Sequence, residues 1–405
     1  MNVLFISHDG LTDPLGQSQV LPYVEGISRA GHRVVILSID KPARLKALRH
    51  VIDARSKASG IDWYPLSYTN KPPVLATIWD MSKMVRKTEQ LHKQYKFDMV
   101  HSRCYLPSIA AMRLKQRYGL KYLFDMRGLW ADERVDGGLW NLTNPLYRTI
   151  YNYFKRREKE FMNEADGIVS LTHNAARYLQ EKFHQAVPID VIPCCADMDL
   201  FSRDAVDPAA LLALREKLGI GADDFVLTYV GSLGTWYMLD EMMDFFKALL
   251  VKKPAARFLI ITNDPDSRIH SIAAARGVSE SRITVTNATR IAMPLYTALG
   301  NATVFFIRPT YSKKASSPVK QGEAMGMGIP IVCNSGIGDS DAIVRENNAG
   351  IVIDAFTETQ YAQAVDKLLT TTFDAQQIRS SALRHFSLDE GVKRFLQVYD
   401  RLQRL

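Results

Sequence analysis

Long apolar runs are missing from this chain of 405 residues. The longest, ATVFFI at 302–307 and IPIVC at 329–333, fall far short of the roughly 20 residues needed to span a bilayer, so no membrane-crossing helix is expected. Cysteine is scarce as well. The four cysteines, Cys104, Cys194, Cys195 and Cys333, show no CxxC spacing, and the adjacent pair suits neither a disulfide framework nor a zinc site. All four are expected to be reduced and buried. No short-period repeat or low-complexity tract is visible, which argues against a solenoid. The opening MNVLFISHDG has no basic segment ahead of an apolar core and no cleavage site, so the expected address is cytoplasmic.

What is present is an ordinary globular composition, 47% hydrophobic and 23% charged, with a formal charge of +8. The length exceeds a single hydrophobic core, so two domains of roughly 150–200 residues are expected. The positive charge suits anionic partners: phosphorylated small molecules, an acidic membrane surface or nucleic acid. No nucleic-acid module accompanies it, and that role is set aside.

The hydrophobic pattern alternates strand and helix. Strands are read at Asn2–Ser7, Val34–Ile39, 61–66, 98–102, 121–127 and 167–171. Helices are read at about Val20–Ala30, Ile78–Gln94, through Met112–Lys115 and near Pro145–Phe161. Between the first strand and its helix lies a loop, DGLTDPLGQS, at 9–18. The alternation pauses in VIPCCADMDLF at 191–201 and resumes with strands in 224–234, 257–262, 283–287, 302–307, 329–334 and 350–354. Repeated βαβ units of this kind form parallel sheets covered on both faces. The chain thus reads as α/β, with two Rossmann-like doubly wound domains at 1–195 and 196–386. A last helix, opened by Ser387 and Glu390 at capping-box spacing, carries an apolar stripe of Val392, Phe395 and Val398–Tyr399. Open α/β sheets bind ligands at the carboxyl ends of their strands, which points to a cleft between the two domains.

The most informative stretch is SSPVKQGEAMGMGIPIVCN at 316–334. Ser316 and Ser317 are placed to cap a helix with Pro318 in its first turn. Lys320 and Glu323 then share one face. Ala324, Gly326 and Gly328 leave the opposite surface thin enough to pack closely on the sheet. Free amides, the positive end of the helix dipole and Lys320 together suit a diphosphate. A carboxylate there is compatible with phosphate if it faces ribose hydroxyls, so the expected ligand is a nucleoside diphosphate. The bland alternative, an exposed Lys–Glu helix pair, weighs about equally on this motif alone. Two glycine-bearing loops after strands, Gly16–Gln17–Ser18 and Gly231–Ser232–Leu233–Gly234, shift the balance toward phosphate.

With HDGLTDPLGQSQ, HRVVILS, DMVHSRCYLPS, FDMRGLWADE, VIPCCADMDLF, YVGSLG and SSPVKQGEAMGMGIPIVCNSGIGD, the chain resembles the retaining family 4 glycosyltransferases of the GT-B fold over essentially its whole length. The resemblance implies two Rossmann-like domains facing across a cleft and a last helix crossing back to the first domain. It also implies transfer of a sugar from a nucleotide-diphosphate sugar, bound mainly by the second domain, to a saccharide or lipid-linked acceptor bound mainly by the first. No other cofactor is implied. Glu323 matches the family's ribose-binding glutamate, whereas the partner glutamate seven residues earlier in the motif is replaced by Ala315. The arginine and lysine common on the first loop of the second domain fall at Ser232 and Tyr237, so Arg308 and Lys320, with Lys313 behind them, become the cation candidates. Asn263 and Arg290 sit where this family reads the base.

In the first domain the family's strand-end histidines fall at Arg103 and Arg127, while His101 is itself at a strand end. Asp125 and Arg127 alternate around Met126 and so share a face; a structural Asp–Arg pair is the competing reading. Departure of the diphosphate develops charge that cations and backbone amides must stabilise, and Arg127 or Arg103 is expected to help from the first domain. The Asp-x-Asp pairs 197–199, 264–266 and 339–341 are poorly placed for a metal, and no metal requirement is expected. KPARLKALRH at 41–50 and YRTIYNYFKRREKEFM at 147–162 are candidates for contact with an anionic leaflet, against the plainer reading of a helix docking its aromatics on its own sheet. The resemblance points to bacterial surface-polysaccharide or lipopolysaccharide assembly. An epimerase or phosphorylase on the same fold, and a catalytically silent partner subunit, are the alternatives.

Overall fold

The computed structural model describes residues 1–184 and 186–405. The chain forms two compact units, Met1–Pro193 with Leu388–Leu405, and Cys194–Ser387.

The first unit holds a seven-stranded sheet built from β1 (Asn2–Ser7), β2 (Arg33–Asp40), β3 (Asp62–Ser67), β4 (Met99–Arg103), β5 (Lys121–Asp125), β6 (Gly167–Ser170) and β7 (Ile189–Val191), in the order β3-β2-β1-β4-β5-β6-β7. The second holds six strands, β8 (Val226–Val230), β9 (Arg257–Ile261), β10 (Ile283–Thr286), β11 (Ala302–Phe305), β12 (Ile331–Asn334) and β13 (Gly350–Ile353), in the order β10-β9-β8-β11-β12-β13. Every pairing in both sheets is parallel. The central strands are apolar runs buried on both faces, as in Val3–Ile6 and Val226–Leu227, because helices cover each side.

In both sheets the strand order reverses beside the first strand, at β1/β4 and at β8/β11. Such switch points leave a crevice outside the carboxyl ends of the strands. In the second sheet the crevice is visible in the register. Pairing of β8 with β11 stops at Thr228↔Thr303, while β8 stays paired with β9 as far as Val230↔Ile261. The strands therefore part just before Tyr229 and Gly231.

Two expectations from the sequence differ from the structure. The stretch read as a loop at 9–18 contains a helix, Pro14–Gln19, followed by a second, Leu21–Arg29. Val20, at φ −122 and ψ −64, breaks them, and Pro22, which supplies no amide, sits in the first turn of the second helix where none is needed. The segment read as linker at 191–201 is entered from β7, a short edge strand beside β6 that the sequence did not suggest.

The final helix, Leu388–Arg404, packs within the first unit. Val392 lies over Gly26, where an added Cβ would come within 2.6 Å of it. Phe395 meets the rings of Tyr23 and His101, and Arg401 pairs with Asp190.

Candidate functional site

In the second unit the chain leaves β8 through Gly231, at φ +119, a conformation that favours glycine. The loop that follows is tied down at each residue. The Gly231 amide donates to the Ile261 carbonyl at 2.9 Å. The Tyr229 hydroxyl donates to the Ser232 carbonyl at 2.5 Å. The Leu233 amide donates to the Asp264 carboxylate, and Arg268 donates to the Leu233 carbonyl at 2.8 Å. Ser232 and Gly234 remain exposed.

Facing this loop is the helix Val319–Gly326. Lys320 reaches back from it so that its Nζ lies 3.6 Å from the centre of the Tyr237 ring and 4.1 Å from that of Tyr229. It donates to the Tyr229 hydroxyl at 3.1 Å. A Cβ on Gly231 would stand 3.1 Å from the same Nζ, so glycine at this position leaves room for the cation as well as for the turn. Burial pushes the Lys320 amine well below the usual lysine range, with Glu323 pulling it back.

Ser316 and Ser317 do not cap this helix. Pro318 is its N-cap and makes no side-chain cap bond, while the Ser317 hydroxyl instead accepts from the Cys194 amide at 3.1 Å. The helix start is consequently without a side-chain cap from its N-cap residue. The thin surface is also not where the sequence placed it. Gly322 packs on Phe386 and Gly326 on Met198 and Phe201, whereas Gly328, at φ +69, forms the turn that ends the helix. The glycines thus receive a neighbouring helix and the segment after Pro193, rather than the sheet.

One helical turn beyond Lys320, the Glu323 carboxylate accepts from Arg290 Nη1 at 3.0 Å. The Arg290 guanidinium lies over the Phe201 ring, 5.5 Å from its centre. Burial raises the Glu323 carboxyl above its usual range against the opposing pull of Arg290 and Lys320. Ala315 is buried. Asn263 is exposed on the loop after β9, next to Asp264. Arg308 is exposed and lines a cavity of about 600 Å³ together with Gly234, Tyr237, Arg268 and Arg276. Lys313 is buried with its Nζ 3.6 Å from the Trp236 ring centre.

The switch point of the first unit gathers charge around Asp125. Arg103 Nη1 and His101 Nε2 each lie 3.7 Å from Asp125 Oδ2, and Arg127 Nη1 lies 3.7 Å from Oδ1. Arg103 Nε also donates to Asp9 at 3.1 Å. Burial would raise the Asp125 carboxyl, but Arg127, His101 and Arg103 together hold it below the usual carboxylate range. Arg127 adopts φ +54, an uncommon conformation for a non-glycine residue.

His101 as a group that meets substrate is overturned. It is fully buried, bonded through Nδ1 to the Tyr399 hydroxyl at 2.8 Å and packed on Phe5 and Phe395, and burial lowers its pKa against the opposing pull of Asp125. It is a core histidine. Gly16 and Gln17 lie on a helix and not on the glycine loop that the sequence suggested. Gly16 lies inside the Pro14–Gln19 helix, where a Cβ would come 2.0 Å from the Gly10 carbonyl oxygen, and Gln17 Nε2 donates to the Thr12 carbonyl at 3.2 Å.

Members of the three Asp-x-Asp pairs are engaged by backbone amides: Asp197 accepts from the Asp199 and Leu200 amides and Asp341 from Gly336 in local turns, whereas Asp264 accepts from Leu233 of the loop after β8. Among the described residues no cluster of three or more His, Cys, Asp or Glu could hold a metal ion. Tyr229, Arg268 and Phe201 were not singled out from sequence, and Asp264 was weighed only as part of an Asp-x-Asp metal pair. Tyr229 carried the one available signal, a polar tip on the last turn-ward residues of a buried strand directly before the glycine loop.

With this geometry in place, comparison with known proteins gives one family. Residues 16–195 match the glycosyl transferase 4-like domain and residues 224–371 match glycosyl transferases group 1. A relative named D-inositol 3-phosphate glycosyltransferase, from Salinispora arenicola, is 23% identical over 350 residues, covering 83% of this chain and 75% of that protein. Sucrose-phosphate synthase from Thermosynechococcus elongatus shares the fold with a TM-score of 0.74 at 16% identity, over 99% of both chains. Anabaena HepE, solved in complex with UDP-glucose, shares it with a TM-score of 0.70 at 15% identity, over 100% of both. The chain belongs to the GT-B glycosyltransferases, with a glycosyl transferase 4-like domain followed by a glycosyl transferases group 1 domain.

Proposed function

We propose that this enzyme moves a sugar, with retention, from a nucleoside-diphosphate sugar to a saccharide or lipid-linked acceptor. The observation that carries the reading is the buried Lys320 amine held against Gly231 at the β8/β11 switch point. A cation, a glycine loop with exposed backbone and uncapped helix amides converge there, and a diphosphate answers all three. Glu323 and Arg290 lie one helical turn away, at a spacing that suits the ribose and base.

Cleavage of the sugar–phosphate bond leaves positive charge at the anomeric carbon and negative charge on the departing diphosphate. Lys320 and the amides of the Gly231–Gly234 loop and of the helix start stabilise the latter. In a same-face transfer the leaving phosphate accepts the acceptor's proton, so the chain need supply no separate base. Arg103 and Arg127, oriented by Asp125, act as the first domain's cations, with Arg127→Ala lowering turnover. No metal takes part in this scheme.

The acceptor and the setting follow from the family resemblance: bacterial surface-polysaccharide or lipopolysaccharide assembly, in the cytoplasm at the inner face of the membrane. Among the described residues no helix is long and apolar enough to cross a membrane. The helix Pro145–Glu164 turns much of its aromatic and basic character inward. Phe154 and Phe161 are buried, and Lys155 pairs with Asp132 and Glu158 at 2.8 and 2.7 Å. Arg156, Lys159 and Tyr153 are left for an anionic leaflet.

The deciding experiment is incubation of purified protein with UDP-, GDP- and TDP-sugars, with and without candidate acceptors. Free nucleoside diphosphate that appears only with acceptor supports transfer, and its appearance without acceptor favours an epimerase or hydrolytic chemistry. The buried methyl of Ala315, where the motif has a carboxylate, favours a second reading, a silent partner subunit. Nucleotide binding without turnover of any donor would select it.

A further inference from the structure

Tyr237 stands where the resemblance puts a lysine, and Lys320 is supplied from the facing helix instead. The two facts meet in the structure, since the Lys320 Nζ lies on the Tyr237 ring at 3.6 Å and on the Tyr229 ring at 4.1 Å. The rings are inclined at 72° with centres 5.7 Å apart, so they form two walls of a corner rather than a stack. Aromatic faces attract an ammonium group through their quadrupole, most strongly where water is excluded. Tyr229 adds a polar link. Its hydroxyl accepts from Lys320 at 3.1 Å and donates to the Ser232 carbonyl at 2.5 Å, joining the amine to the glycine loop through one oxygen.

A lysine is a flexible point charge on a four-carbon stem, and left to itself it samples many positions. Here the stem is enclosed, two rings bound the head, and the remaining direction is the Gly231 backbone, where even one Cβ would stand 3.1 Å from Nζ. Both tyrosines are themselves held. Tyr229 is fully buried in β8, and Tyr237 bridges to the strand end through Ile307 in an isolated antiparallel pair.

We propose that Tyr229 and Tyr237 are positioning residues that hold the Lys320 head group at the Gly231 loop, so that this helix-borne cation replaces the loop-borne one in gripping the donor's diphosphate. The proposal rests on the reading of this corner as a nucleoside-diphosphate seat. It adds that the grip depends on two aromatic side chains that need not touch the nucleotide.

The test uses the full chain and calorimetric binding of UDP, GDP and TDP, each measured against its own nucleoside. Circular dichroism and thermal melting identify variants that fail to fold. Tyr237→Leu is expected to weaken diphosphate binding on the order of tenfold, as does loss of one charge-assisted contact, with nucleoside affinity unchanged. Tyr237→Phe, which keeps the ring, recovers the affinity that Tyr237→Leu loses. Tyr229→Phe, which removes the hydroxyl link, weakens the diphosphate several-fold, roughly half the logarithmic effect of Lys320→Ala. If Lys320→Ala loses the diphosphate while folded Tyr237→Leu and Tyr229→Phe bind it like the parent, the positioning role is wrong and the seat stands. Equal losses for diphosphate and nucleoside would also overturn it, because they would mark a general loosening of the site. If the parent protein binds none of the three diphosphates, the seat itself is refuted and the cage's role falls with it.

Discussion

The Tyr399 hydroxyl and His101 Nδ1 lie 2.8 Å apart, joining the last helix of the chain to the middle of β4. His101 in turn lies 3.7 Å from Asp125 Oδ2, so a residue near the C-terminus reaches the charged cluster of the first unit through one imidazole. Tyr399→Phe is expected to lower the stability of that unit by about 1 kcal/mol through the lost buried hydrogen bond. Tyr399→Ala adds a cavity and costs about 3–5 kcal/mol. Denaturant melts followed by far-UV circular dichroism would separate the two, and equal effects would show that the hydroxyl contributes nothing.

Asp125 gives a prediction with a definite sign. Its folded-state pKa lies below the ordinary value of 3.8, so its interactions contribute fully above that value and are lost as pH falls through the folded pKa. Asp125→Asn leaves Arg103 and Arg127 without their shared counter-charge and is expected to cost about 3 kcal/mol at neutral pH. The variant should also lose less stability than the parent on acidification between pH 4 and the acid limb. Parallel acid-unfolding slopes for the two proteins would refute this.

Lys320 has the same sign of linkage for a different reason, because burial disfavours its charged form. Its folded pKa lies well below the usual lysine value of 10.5, so the unfolded chain binds the proton more tightly and stability rises with pH between the folded value and 10.5. Glu323 from the same helix, Arg290 through Glu323, and the phenols of Tyr229 and Tyr237 face this amine. Tyr237 is itself pushed up to about 12 by burial and stays neutral across the window. Lys320→Met should flatten the rise, as read by melting temperature at stepped pH. A diphosphate arriving at the amine favours its charged form, so UDP affinity should decline as the pH is raised, and calorimetry in buffers of different ionisation enthalpy should report proton uptake.

Glu323 is bonded to Arg290 and faces the proposed ribose. Glu323→Gln keeps the shape and removes the charge. Weakening of about tenfold is expected for UDP, with a smaller penalty for the corresponding deoxyribose diphosphate, since a lost hydroxyl contact cannot be lost twice. Identical penalties for the two ligands would show that Glu323 serves only Arg290.

Much of the fold was legible because parallel strands buried on both faces announce themselves as short apolar runs. β1, β9, β10 and β13 fall where their runs stand. The helix Pro14–Gln19 was hidden by its turn-rich composition: Asp13, Pro14 and Gly16 read as a loop, yet Pro14 supplies a first helical residue and Gly16 a close approach to Gly10. β7 was hidden by its shortness and its position at a sheet edge. At the candidate site, Lys320, Glu323 and Gly231 could be picked out because each is an unusual residue beside a strand end. The Tyr229–Tyr237 corner could not, since aromatics flanking a buried strand mostly signal core. His101 was misread for the converse reason, because a histidine at a strand end suggests reactivity until Tyr399 and Phe395 are seen to enclose it.

The residues Leu388–Leu405 complete the unit that Met1 begins, whereas Cys194–Ser387 is one uninterrupted stretch. During synthesis, the inserted unit therefore has all its residues before its host does. The host must wait for the terminal helix to leave the ribosome before Val392 can cover Gly26 and Tyr399 can meet His101. A nascent chain cut short just past Ser387 would carry a finished nucleotide-type sheet and an unfinished one, with the bared surface of Gly26, Tyr23 and His101 open to chaperones or to the Leu388–Arg404 helix of another copy.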